Sequence, residues 1–281
     1  MNLLASVLAA VVVGTWNGNW FPSGRAEHRA HPDVEAATVS AAAKMLAQGL
    51  KAVDPEGTND VILCLNEIRG PRAASNLVAQ IGRTGLRVAS ISAYRRRDRF
   101  DQQQDVIATT LPVAETHWSK WKVAKELTPP RGYAFAAVVI DPATTANVYA
   151  VHLKSNYGAT TPELRKSNRE KRTLAITQLV DQEKGKRGRP ARPVLVAGDM
   201  NADCWRKEFA EERMFGLLAD AGFENPLALL PPKSRDTHPS RSYGSSALDS
   251  VFCRGVSAVE APRIIPNDGL SDHCAVFVLV R

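Results

Sequence analysis

Short apolar runs rich in Val, Ile, Leu and Ala recur along the chain, and each meets a polar cluster at one end. Ala10-Val11-Val12-Val13 runs into Gly14-Thr15-Trp16-Asn17 and Val61-Ile62-Leu63-Cys64-Leu65 into Asn66-Glu67. Val148-Tyr149-Ala150-Val151 runs into His152, and Val194-Leu195-Val196-Ala197 into Gly198-Asp199-Met200-Asn201. Near the C-terminus the order inverts: Asp249 precedes Ser250-Val251-Phe252-Cys253, and Asp272-His273 precede the run 274–280. Short runs with few polar breaks predict strands buried on both faces. If the last two strands run antiparallel to the others, all six polar tips reach one edge of the sheet. One strand ending in Asp or Asn is ordinary turn chemistry. Carboxylates, amides and imidazoles converging from six strands are what a metal-assisted hydrolytic site requires.

Helical signals lie between the strands. Asp33 opens an Ala-, Met- and Leu-rich helix to about Val53, and Pro71 begins a short helix ending near Ile81 before Gly82. Arg87–Ala93 and Val106–Thr110 are expected to pair as strands. Tyr133–Ile140 and Asn147–Leu153 predict a hairpin around Asp141-Pro142. Thr161-Pro162-Glu163 has the cap, first-turn proline and early acid of a helix that continues to about Glu183. A further helix is expected from Arg206 to Ala221, stopped by Gly222. Paired strands interleaved with helices predict mixed or largely antiparallel sheets with helices outside.

The 281 residues show no linker and no repeat, and the polar strand ends span residues 17 to 273. A single domain over 1–281 is therefore expected. The formal net charge is +7, with basic residues bunched at 95–99, 165–172 and 184–189. Such a balance favours a polyanionic partner, nucleic acid first, against the alternative of solvated loops and helix faces. Cys64, Cys204, Cys253 and Cys274 lack the paired spacing of a zinc or redox motif. Buried thiols are the expectation, with a disulfide left open. The apolar stretch Leu3–Val13 resembles the core of a signal segment, of which residues 1–10 would be the remnant, but no Lys or Arg precedes it. Export and cytoplasmic residence both stay open. The stretch is too short to span a bilayer, and no stable membrane association is expected of what reads as a monomer.

Thr15-Trp16-Asn17, Leu65-Asn66-Glu67-Ile68, His152-Leu153-Lys154-Ser155-Asn156, Gly198-Asp199-Met200-Asn201-Ala202-Asp203, Leu248-Asp249-Ser250-Val251-Phe252 and Ser271-Asp272-His273 occur in a telling order. With these motifs the chain resembles the endonuclease/exonuclease/phosphatase superfamily, of DNase I-like fold, over nearly its whole length. The resemblance implies an α/β, four-layered sandwich: two packed mixed β-sheets flanked by helices. Apurinic endonucleases generally carry tyrosine where this chain has His152, which places it nearer the DNase I- and sphingomyelinase-like branches. Thr237-His238-Pro239-Ser240-Arg241-Ser242-Tyr243 stands where those endonucleases have an aromatic signature, and Asn66 replaces the usual glutamine.

Hydrolysis of a phosphodiester needs an activated water and stabilisation of the charge growing on the phosphoryl oxygens. His273 is the expected base, with Asp249 fixing its tautomer. Glu67 is the expected ligand for Mg2+ or Mn2+, one or two ions, and the resemblance puts Asn17 and Asp272 beside it. Asp199 would align the attacking water or join a second metal position, and Asn201 would donate to a non-bridging oxygen. The resemblance sets His152 near the phosphate or leaving group. Asn156, Arg241 and Tyr243 are candidate substrate contacts. The activity expected is that of a metal-dependent nuclease acting on DNA or RNA. The alternatives are a phosphohydrolase of a phospholipid headgroup, inositol phosphate or small phosphorylated molecule, and a non-catalytic nucleic-acid-binding module.

Overall fold

A computed structural model of the chain describes residues 10–23, 31–96, 99–100, 103–124, 126–184, 192–242 and 244–281. The first apolar run forms β1 (Val11–Phe21), followed by α1 (Pro32–Val53), β2 (Asp60–Ile68) and α2 (Pro71–Gln80). Next come β3 (Arg87–Ile91), the two-residue strands β4 (Arg95–Arg96) and β5 (Arg99–Phe100), β6 (Gln104–Thr109) and β7 (Val113–Lys120). The hairpin β8 (Gly132–Asp141) and β9 (Thr144–His152) leads to α3 (Pro162–Glu183) and β10 (Val194–Asp199). The chain then continues through α4 (Arg213–Asp220), β11 (Asp249–Arg254), β12 (Arg263–Ile265) and β13 (Ala275–Val280).

Among the described residues the long strands make two mixed sheets, ordered β12-β13-β1-β2-β6-β3 and β11-β10-β9-β8-β7. β1 pairs parallel with β2 and antiparallel with β13, while β10 pairs parallel with β9 and antiparallel with β11. The inversion of the late motifs is thereby explained, because the leading ends of β11 and β13 lie beside the trailing ends of β10 and β1. The sheets meet face to face across Val11, Val13, Ile62 and Val278 on one side and Ala134, Ala136, Val148 and Leu195 on the other. α1 and α2 cover the outer face of the first sheet, around Leu46, Leu77 and Phe277. α3 and α4 cover the second, around Ile176, Leu179, Met214 and Leu218. The result is the expected four-layered sandwich.

Two elements depart from the sequence reading. The helix expected from Arg206 to Ala221 is broken: Lys207–Phe209 is a 3-10 turn, and α4 starts only at Arg213. Glu212 takes an extended conformation at that break and pairs with Arg172 of α3 as a fully buried ion pair. Arg172 is therefore not part of the basic surface expected over 165–172. β7 has no apolar run because it is an edge strand whose residues are mostly exposed. All four cysteines are free, three of them buried and Cys204 exposed. The apolar residues 1–9 and most of the basic stretch 184–189 lie outside the described residues.

Candidate active site

Backbone irregularities at the strand ends present the polar side chains. The β1–β2 register shifts between Asn17 and Phe21, and the β2–β6 register between Leu65 and Ile68. Such shifts release the strand from its ladder and re-aim side chains. Glu67 sits there at φ 56°, and Asn201, just beyond β10, at φ 52°. Left-handed backbone is uncommon outside glycine, so the surroundings must hold these residues in place. Between them Gly198 has φ 147°, and an added Cβ would lie 1.9 Å from the Val151 carbonyl oxygen and 2.9 Å from Asn66 Oδ1. Only glycine lets β10 approach its neighbour this closely as it delivers Asp199.

Asp199 is the hub. Its Oδ2 accepts from Asn17 Nδ2 and Asn201 Nδ2, both at 2.9 Å, and its Oδ1 accepts from the Asn201 backbone N–H at 2.8 Å. The Asp199 N–H donates to Asn66 Oδ1 at 3.0 Å, while Asn66 Nδ2 donates to buried Asp105 at 2.7 Å. Two imidazoles face the same carboxylate: His152 Nε2 at 3.5 Å and His273 Nε2 at 3.9 Å from Oδ2. His152 Nε2 also lies 3.6 Å from Glu67 Oε1. His273 Nδ1 is 2.8 Å from Asp249 Oδ2, which also accepts from the Thr237 hydroxyl at 2.8 Å. Trp16 Nε1 donates to the His273 carbonyl at 3.2 Å, tying the imidazole's backbone to β1.

Burial and charge set the protonation of these groups. Burial pushes Asp199 up to about 7, with Asp249 adding to the effect, while His273 and the N–H donors of Asn201 and Asn17 favour the anion. For His273 burial opposes the charged form, but Asp249, Asp199 and Asp272 outweigh it and raise the imidazole to about 10. His152 goes the other way: burial first, then the charges of Arg131, His273 and Lys154, push it well below its ordinary value. The site thus pairs an imidazolium with a neutral imidazole across one carboxylate. That division suits opposite tasks in proton transfer and anion contact.

The donor set fits a hydrated divalent cation beside Glu67. Its Oε2 accepts from the Trp20 N–H at 3.2 Å, but Oε1 has only long contacts, to Asn17 Nδ2 at 3.4 Å and His152 Nε2 at 3.6 Å. A hard carboxylate with spare acceptor capacity suits Mg2+, which keeps most of its waters. Asn17 is turned otherwise: its Oδ1 accepts from the Asn19 N–H and its amide nitrogen faces the carboxylates. In this orientation it is a donor, and its oxygen is not offered as a ligand. Asp272 is half-exposed beside His238 and His273.

The structure therefore gathers Asn17, Glu67, His152, Asp199, Asn201, Asp249 and His273, with Asp272 at the rim. Asn156 Oδ1 accepts from Arg172 Nη1 at 3.3 Å, towards α3. Arg241 is exposed on its loop, and Tyr243 lies outside the described residues. Sequence reasoning missed Arg131, whose guanidinium donates to the carbonyls of His152 and Leu153 at 3.1 and 2.8 Å. It also missed Asp105 beneath Asn66, and gave no role to Thr237 or His238. Asp105 stands at the head of the run Val106–Ala108, where the same pattern could have found it, whereas Arg131, Thr237 and His238 adjoin no apolar run and left no such signal.

The sequence model of the Endonuclease/Exonuclease/phosphatase family matches residues 14–273. Among curated proteins, none matches. Of the solved structures, the chain is similar to an endonuclease/exonuclease/phosphatase family protein from Leptotrichia buccalis, with TM-score 0.65 and 10% identity over 96% of this chain and 99% of that one. It is similar to TDP2 from D. rerio complexed with single strand DNA product, with TM-score 0.63 and 14% identity over 97% and 99%. A third similar structure is the 3' phosphatase NExo from Neisseria bound to product DNA hairpin, with TM-score 0.58 and 14% identity over 95% and 98%. At these identities the likeness establishes the fold.

Proposed function

Because the chain belongs to the Endonuclease/Exonuclease/phosphatase family, whose fold serves hydrolysis of phosphate esters, we propose that it is a divalent-metal-dependent phosphodiesterase cleaving nucleic acid, DNA before RNA. The observation that carries the reading is the Asp249–His273 pair, whose free Nε2 points at an Asp199 carboxylate already surrounded by amide donors. The net charge of +7 supports a polyanionic substrate. So do the DNA products bound to two of the similar structures.

In the proposed mechanism His273 keeps its Nδ1–H on Asp249, so that Nε2 alone exchanges a proton with the attacking water. Asp199 orients that water. Asn17 and Asn201 Nδ2 each donate to Asp199 at rest and would turn that hydrogen to a non-bridging oxygen as negative charge grows there, the second hydrogen of Asn201 staying on the Leu153 carbonyl. Neutral His152 presents its Nε2–H to the phosphate or leaving oxygen without adding a charge. A divalent cation on Glu67, with Asp272 at the rim and Mg2+ or Mn2+ the preferred ions, would polarise the phosphate and, by offsetting the carboxylates, lower His273 towards a range where it accepts protons.

The test is a panel of plasmid, single-stranded DNA, RNA, sphingomyelin and inositol phosphates incubated with Mg2+, Mn2+ or EDTA. Cleavage of nucleic acid that needs the metal and disappears in His273→Ala is expected. Turnover of the lipid or inositol substrates with nucleic acids untouched would overturn the substrate assignment, and equal rates in His273→Ala would overturn the mechanism.

A further inference from the structure

We propose that His238, Asp272 and His273 form a second cation site that takes a transition ion such as Zn2+ in preference to Mg2+, and that filling it stops hydrolysis by occupying His273. His238 Nε2 lies 3.7 Å from Asp272 Oδ2, and His273 Nε2 lies 3.9 Å from Asp272 Oδ1. One ligand atom from each of the three residues lies within 4.8 Å of the other two. Zinc bonds of about 2.0–2.1 Å in a tetrahedron set ligand atoms roughly 3.3 Å apart. The cluster therefore has to close only slightly, leaving the fourth position to water. Two imidazoles and one carboxylate are a borderline-soft donor set, which Zn2+ accepts readily and Mg2+ does not.

The supporting contacts orient the ligands. His273 Nδ1 is held by Asp249 at 2.8 Å, which leaves Nε2 facing Asp272 as well as Asp199, each at 3.9 Å, in the carboxylate–imidazole–metal arrangement typical of ligating histidines. The His238 backbone is fixed by a reciprocal pair of hydrogen bonds with Ser246, at 2.9 and 3.1 Å. Its neighbour Thr237 donates to that same Asp249 carboxylate. The two imidazole rings stand 4.7 Å apart between centroids. The His238 and Asp272 side chains are 21% and 53% exposed, so an ion enters from solvent without unfolding the site. Glu67, the candidate Mg2+ ligand, is not a member of this cluster, which shares only Asp272 with the rim of that position, and His238 has no part in the hydrolytic mechanism.

Binding places the ion on the Nε2 lone pair and releases the proton that Nε2 carried to solvent. The nitrogen can then no longer accept a proton from water. The inhibition rests on the phosphodiesterase reading, whereas the binding does not, and the two are measured apart. The chelator-treated full chain is titrated in excess Mg2+ with Zn2+ against a chromogenic chelator, and with Co2+ by visible absorption. Wild type and Glu67→Gln are expected to take one tight ion. His238→Ala and His238→Asn should bind it more weakly by at least the roughly 10–100-fold that follows removal of a ligand's hydrogen-bond partner. Thermal melts confirm that each variant is folded. In the hydrolysis assay, the ratio of rates with and without Zn2+ should fall well below one in wild type and stay near one in His238→Ala. Undiminished Zn2+ binding by both His238 variants, or its loss in Glu67→Gln alone, would overturn the site. Absence of any hydrolysis would defeat the functional reading while leaving the binding result to judge the site.

Discussion

The Asp249–His273 contact makes two demands of a single imidazole. In catalysis, His273→Ala should lower kcat by about 10²–10⁴-fold, the usual contribution of a positioned acid–base group. In stability, the cation-free protein should show a pH signature of the same pair. His273 is raised from 6.5 to about 10 in the fold, so its contribution is fully present below the unfolded value and is lost as pH rises through 10. In EDTA, the urea midpoint of wild type should therefore fall more between pH 6.5 and 10 than that of His273→Ala, the difference amounting to a few kcal/mol at most. Parallel profiles for the two proteins would show that the imidazole gains nothing from Asp249. His273, Asp249, Asp199 and Glu67 were legible because each lies at the end of an apolar run, where burial makes a charged residue conspicuous. Arg131 was not, although it holds the His152 and Leu153 carbonyls, because it precedes its strand within Pro129-Pro130-Arg131-Gly132, which reads as a turn.

At the scale of the elements, β10 depends on Gly198. Gly198→Ala sets a methyl against the Val151 carbonyl, a backbone atom that cannot move without breaking the β9–β10 ladder. A destabilisation on the order of 3–5 kcal/mol in chemical denaturation is expected, in the range reserved for strained or clashing sites. Wild-type stability in this variant would mean that β10 has room to shift. The α3–α4 contact makes a different prediction. Arg172→Ala leaves Glu212 as an uncompensated buried charge and should cost about 3–5 kcal/mol, whereas Arg172→Met combined with Glu212→Leu should recover most of it. If the double variant is no better than the single, the pair is required for packing as well as charge. This ion pair also explains why the element was misread. A continuous helical pattern over 206–221 carries no sign that Glu212 is withdrawn to meet an arginine 40 residues earlier. β7 escaped notice for the opposite reason, since an edge strand does not need the apolar run that marks a central one.

Across the whole molecule, the site is a seam between the two sheets. Asn17 and Glu67 come from the six-stranded sheet and His273 from the turn that leads into its β13, while His152, Asp199 and Asp249 come from the other sheet. Asn17 to Asp199, Asn66 to Asp199 and His273 to Asp249 are all contacts across that seam. The strand ends announced the convergence in advance, but charge alone could not say which basic residues face a substrate. The topology can. β9 ends in the site at His152, and residues 153–161 join it to the start of α3, so a substrate leaving the site along this connection meets exposed Arg165 and Lys166 before Lys184 at the far end of the same helix. If nucleic acid lies across this edge, Arg165→Ala with Lys166→Ala should weaken binding of single-stranded DNA and flatten its salt dependence by up to about 0.7 in log–log slope for each phosphate no longer neutralised. Lys184→Ala should change neither. Fluorescence anisotropy in EDTA over a range of salt concentrations measures both quantities without turnover. An unchanged slope in the double variant, or an equal effect from Lys184→Ala, would move the substrate path away from the β9–α3 rim.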